Sequence, residues 1–170
     1  MLNRLAKPVR RDLAGHLGAS PRVLAWGRVV DGRWCVALPD RLVWGGVPEG
    51  AGQWEQLAYH LIEHGGWNAE LSELAWTRTD GRRGSLRLVD PGRLPEAFVD
   101  RVNATIVARE RVPIEGTDDG VVISGRRDLT DPDAPLTWRA SPMRGTKLSD
   151  PRVAAEVDAA IARVRAEYDI

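Results

Sequence analysis

The run His60-Leu61-Ile62-Glu63-His64 satisfies H-x-x-E-H, an inverted zinc-peptidase pattern. On a helix, histidines four apart offer their rings to one zinc ion from one side, and the intervening glutamate activates a metal-bound water. Trp54, Leu57, Ala58, Leu61 and Ile62 recur at helical spacing and Gly65 fits a C-cap, so a helix is one reading of the segment. A strand is the other. It puts His60, Ile62 and His64 on one face and Glu63 on the opposite face, separating the base from the metal. The pattern also calls for a third ligand, usually a glutamate from a helix well downstream. Glu156 and Glu167 are the glutamates of the terminal helical segment, and a surface position accounts for both. A zinc-dependent hydrolase through His60, Glu63 and His64 is the alternative reading, and two surface or rim histidines the ordinary one.

Other chemistry finds less support. Cys35 sits within an alternating run with no histidine near it in sequence, as expected of a structural thiol. Ser20, Ser85, Ser124 and Ser141 lack a nucleophile-elbow context, and Gly45-Gly46 and Gly65-Gly66 read as turn glycines without the lysine and helix of a phosphate loop. No cofactor is expected. The seven tryptophans are the unusual feature of the composition. Trp34, Trp44 and Trp76 fall in phase with apolar neighbours and read as sheet core, whereas Trp54 and Trp67, beside glycine-rich turns, are candidates for exposed protein-binding anchors together with His60 and His64. The basic pairs Arg10-Arg11, Arg82-Arg83 and Arg126-Arg127 lie near turns or termini and read as solvated charge.

Composition sets the bounds. A chain of 170 residues, 43% of them hydrophobic, can bury one core and suggests one domain. Lys+Arg and Asp+Glu each total 24, so no global field draws nucleic acid or an anionic membrane, and an anionic-ligand or nucleic-acid binder is the weakest alternative. One cysteine allows no intrachain disulfide, as in a reducing compartment, and no signal peptide or membrane span is evident. The expected location is the cytoplasm.

These residues must be held by elements, and the hydrophobic period says which. Leu2, Leu5, Val9, Leu13 and Leu17 recur at helical spacing, with a short helix expected from about Pro8 to a stop at Gly18. From Arg22 the pattern alternates. Asp31-Gly32 and Asp80-Gly81 are hairpin turns, Leu42-Val43-Trp44 is a third strand, Val47 to Gly52 a loop, and strands are expected over Glu70–Thr79 and Ser85–Val89. Leu94, Phe98, Val99 and Val102 predict a short helix ending near Asn103. Residues 106–112 favour strand over helix, and further strands fall around 120–124 and 136–140. Val153, Val157, Ile161, Val164 and Tyr168 form one apolar stripe on a terminal helix, with Asp150 as N-cap and Pro151 as first helical residue.

About six strands from Arg22 to Val89 followed by a helix from Leu94 resemble a bacterial pleckstrin-homology-like barrel, a bent antiparallel sheet capped by one helix. Leu57-Ala58-Tyr59-His60-Leu61-Ile62, Trp67, Leu74-Ala75-Trp76, Gly92-Arg93-Leu94-Pro95-Glu96 and the run Arg101 to Val112 are similar to a group of uncharacterised actinobacterial proteins. The resemblance covers residues 22–112. It implies a binding module for a protein, peptide or lipid headgroup more than a reaction. The expectation is thus an α+β chain: an N-terminal helical segment over 1–20, a bent antiparallel sheet or small barrel with its capping helix over 21–112, and a β/α extension over 113–170 packed on the same domain and ending in an amphipathic helix. Its expected role is that of a non-catalytic interaction module for an unidentified protein or peptide partner.

Overall fold

The structure, a computed structural model, describes residues 4–47 and 50–168. Helix α1 (Lys7–Leu17) carries Pro8 in its first turn, where a missing N–H costs nothing, and ends at Gly18 in the left-handed conformation, φ 70°. Strands β1 (Ala25–Val29) and β2 (Trp34–Ala37) meet at Asp31-Gly32. There the Asp31 carboxylate accepts the Arg33 backbone N–H at 3.0 Å and its Nε–H at 2.9 Å. Next come β3 (Arg41–Val47), β4 (Gly50–Ala58), a single 3-10 turn (Tyr59–Leu61), β5 (Ile62–Asn68), β6 (Glu73–Arg78), β7 (Arg83–Asp90) and helix α2 (Leu94–Ala104). The sequence suggested six strands here, and there are seven. The expected loop from Val47 to Gly52 is mostly the ends of β3 and β4, with residues 48 and 49 outside the described residues.

All seven strands are antiparallel, in the order β4-β3-β2-β1-β7-β6-β5, and curl into a half-barrel. The joint between β1 and β7 is short: Arg28 opposes Asp90 and Val29 opposes Leu88, with a register shift between them. A shift of this kind increases local twist, which lets one sheet turn a corner.

The alternation of side chains decides what each face meets. On β2, β3 and β4, Val36, Val43 and Trp54 lie in one cluster with Leu5 and Leu13 of the N-terminal segment. Cys35, Ala37 and Leu42 are turned the other way and are fully buried as well. On that inner side α2 lies against β1, β2 and β5 and brings Leu94, Phe98 and Val102 into the core. Phe98 packs edge-on to Tyr59 and tilted to Trp76, each at 6.3 Å, and Trp76 reaches Trp44 at 5.2 Å. Each fully buried Leu or Phe contributes about 1.5–3 kcal/mol, which makes this aromatic centre the main anchor of the helix.

The chain divides into two compact units, one running through Ala104 and the other from Thr105. Residues 105–112, grouped with the first unit on sequence grounds, pair in the second: β8 (Ile106–Val112) runs beside β9 (Val121–Arg126), and β9 beside β10 (Thr137–Pro142), in an antiparallel sheet of order β10-β9-β8. One domain was expected from length alone, but each unit carries its own cluster of buried residues. Helix α3 (Pro151–Tyr168) lays Val153, Val157, Ala160 and Val164 on Val112, Val121 and Ile123 of this second sheet. Its start follows the sequence reading, since the Asp150 carboxylate accepts the Arg152 N–H at 2.9 Å and Pro151 is the first helical residue. Among the described residues no helix is long and apolar enough to cross a membrane.

Candidate functional site

Residues 57–64 form neither a helix nor one strand. Leu57 and Ala58 end β4, His60 sits in the 3-10 turn, and Glu63 and His64 belong to β5, with a register shift between Ile62 and His64. The one-sided presentation of two histidines that the zinc pattern needs is therefore not formed. Among the described residues no three His, Cys, Asp or Glu side chains are grouped so as to hold a metal ion. The physical reason is the corner. Tyr59 and Ile62 are both fully buried, and anchoring them turns the backbone between β4 and β5 instead of letting it wind on as a helix.

The other sequence candidates also resolve. Trp54 is not an exposed anchor. It is only 8% exposed, packed under α1, and its Nε1–H donates to the Asp12 carboxylate at 2.8 Å. Trp67 is half-buried on β5, opposite Leu74, which is in turn opposite Leu86, so it stands on the core side of the sheet. Cys35 is fully buried, and desolvation pushes its thiol well above the ordinary value, the reverse of what a nucleophile needs. Burial likewise pushes up the phenol of Tyr59. Gly65 and Gly66 are not turn glycines but lie inside β5, and Gly45 and Gly46 lie inside β3, at its register shift with β4. Arg126 is not surface charge either, since it is 6% exposed and its Nη1 donates to the buried Thr105 hydroxyl at 2.9 Å.

A different feature emerges on β5, β6 and β7. Their inward residues are bulky: Trp67, Leu74 and Leu86 make one cross-strand row, and Trp76 stands in the next between Gly65 and Gly84. Those two glycines are required by close approach. A Cβ at Gly84 would lie 2.5 Å from the Trp76 indole nitrogen, and one at Gly65 would lie 2.7 Å from the Phe98 ring.

The outward residues are small in the middle and polar at the ends. Gly66, Ala75 and Ser85 form one row across the three strands. His64, Thr77 and Arg83 form the row on one side, and Asn68, Glu73 and Arg87 the row on the other. The small row leaves an open trough of about 560 Å³, lined by His64, Gly66, Glu73, Thr77, Arg83 and Ser85 among others. His64, Arg83 and Ser85 are exposed, and Glu73, Ala75 and Thr77 half-buried. A guanidinium and two hydroxyls can donate hydrogen bonds and a carboxylate can accept them, on a floor with no side chain larger than serine. Such a surface can bind and orient an extended chain.

Of this trough only His64 was legible in the sequence as an interaction residue. The signal lay in the phase of the run Glu73 to Thr77, where Glu73, Ala75 and Thr77, small or polar, alternate with Leu74 and Trp76, but nothing local revealed that Gly66 and Ser85 would align with Ala75. The chain matches no protein-family model, no curated protein and no solved structure.

Proposed function

We propose that this chain is a non-catalytic interaction module whose partner, a protein or an extended peptide, lies in the trough on the outer face of β5, β6 and β7. The observation that carries the reading is the row Gly66, Ala75, Ser85, which leaves an open trough between two polar rims, His64, Thr77 and Arg83 on one side and Asn68, Glu73 and Arg87 on the other. A segment lying on such a face is held by packing on the small floor residues and by hydrogen bonds to the Ser85 hydroxyl and the polar rim side chains. The strand order closed by α2 also supports the likeness to a pleckstrin-homology-like domain, which implies a bent sheet capped by one helix. Helix α1 and the second unit go beyond that pattern. The buried, unreactive Cys35 suits a cytoplasmic protein.

The test is to fill the trough without touching the core. Ala75→Trp replaces a half-buried methyl on the outer face, so the folded state should melt within a few degrees of wild type. Proteins co-purified by the tagged wild-type chain should be lost from the variant. Retention of the same proteins by a folded Ala75→Trp variant would place the binding surface elsewhere.

A further inference from the structure

The second sheet has two faces of opposite character. Toward α3 it presents Val112, Val121, Ile123, Trp138 and Ala140, and Trp138 packs on Tyr168 at 5.7 Å. By register, the opposite face carries Arg109, Ser124 and Arg139 in one cross-strand row and Arg111, Val122 and Ser141 in the next, with Arg126 following Ser124 along β9. No strand residue on that face is acidic. In a chain whose charges balance at 24 and 24, four arginines on one face of three short strands make a local excess.

Two of the four are already engaged. Arg126 is held by Thr105, and Arg111 donates from Nη2 to the Asp119 carboxylate at 2.7 Å. The guanidinium groups of Arg109 and Arg139 make no hydrogen bond or ion pair among the described residues, and the Nε of Arg139 is buried without an acceptor. An unsatisfied buried guanidinium N–H is costly, and a carboxylate is the acceptor that fits its fork. Ser124 and Arg126 on the central strand are buried and Arg139 is half-buried, whereas Arg109 and Arg111 are exposed, so the face is open to a partner along β8.

We infer that this arginine face docks an acidic protein segment in extended conformation, with carboxylates on Arg109 and Arg139. Asp119 on Arg111 is the same contact made by the chain itself. Arg109 and Arg139 flank Ser124 in one cross-strand row, two strand spacings or about 10 Å apart, and two acidic side chains about 7 Å apart on one face of an extended segment can meet both through the length of the arginine side chains. Single-stranded nucleic acid is the weaker fit, because the sheet's one tryptophan, Trp138, stands on the helix side and leaves no stacking platform beside the arginines. The inference is independent of the trough on the other sheet.

The test uses the full chain and a fluorescein-labelled peptide of alternating Glu and Thr, read by anisotropy, with the same peptide carrying Gln in place of Glu and a labelled oligothymidylate as comparisons. The acidic peptide should bind, with affinity that falls as salt rises, and the Gln peptide should not. Arg109→Gln with Arg139→Gln should weaken binding by about tenfold or more, whereas Arg163→Gln on α3 should leave it unchanged. Because Arg139 is half-buried, the exposed Arg109→Gln alone serves as a second variant and should weaken binding by several-fold at an unchanged melting temperature. No binding of the acidic peptide, equal binding by the Arg109→Gln chain, or tighter binding of the oligothymidylate would each overturn the inference.

Discussion

The two halves of the seven-stranded sheet are built from the same alternating strands, yet one is covered on both faces and the other on one. Across β2, β3 and β4, residues of both phases are buried: Cys35 beside Val36, and Leu42 beside Val43. Helix α2 lies on the inner side, and α1 closes the outer side through Leu13 and the bond from Trp54 to Asp12. Across β5, β6 and β7 only the inner phase is buried, and the outer phase ends in Glu73, Thr77, Arg83 and Ser85. A strand covered twice can only be structural, while a strand covered once has a face free to recognise something. The location of the candidate site therefore follows from which half α1 reaches.

The largest effect is expected where the second cover is removed. Trp54→Ala deletes a buried indole and its bond to Asp12 and should cost about 3–5 kcal/mol in urea unfolding. A loss below about 1 kcal/mol would mean that α1 is not a structural layer. Next in size is a contrast between the two phases of the other half. Gly84→Ala drives a methyl into the Trp76 indole and should cost about 1–3 kcal/mol. Gly66→Ala, in the outer row with nothing within 4 Å of the added carbon, should be neutral or slightly stabilising. Equal costs for the two would erase the distinction between inner and outer phases.

The smallest effect concerns the hairpin of the covered half. The hydrogen bond from Arg33 holds the carboxyl of Asp31 below its ordinary 3.8. A folded value lower than the unfolded one stabilises the protein above the ordinary value, and that stabilisation is lost as the pH falls through the lowered one. The pair is solvent-exposed, so the contribution is slight. Asp31→Asn should remove that small acid-side dependence from the melting curve and leave the melting temperature at pH 7 within a few degrees of wild type.

What could be read from the sequence was local. Asp150 and Pro151 start α3, Gly18 ends α1, and Asp31-Gly32 and Asp80-Gly81 turn their hairpins, because each depends on neighbours within a few residues. Apart from the hairpin read as a loop at Val47 to Gly52, the misreadings were non-local. Trp54 beside glycines looks exposed until α1 is laid over it, and its partner Asp12 is 42 residues away. Gly65 looks like a turn until the ring of Phe98 is found against it. Residues 106–112 alternate as a strand in either unit, and only their pairing with β9 assigns them to the second. The trough was hidden for the same reason: Gly66, Ala75 and Ser85 are unremarkable singly and become a floor only through cross-strand register.

The claim that the half covered once is the recognition face can be tested by site-specific photo-crosslinking. A benzophenone side chain placed at Ser85, on the open face, should capture a discrete partner in cells. The same group at Arg11, exposed on α1 over the covered half, should capture none. Capture from Arg11 with none from Ser85 would contradict the account.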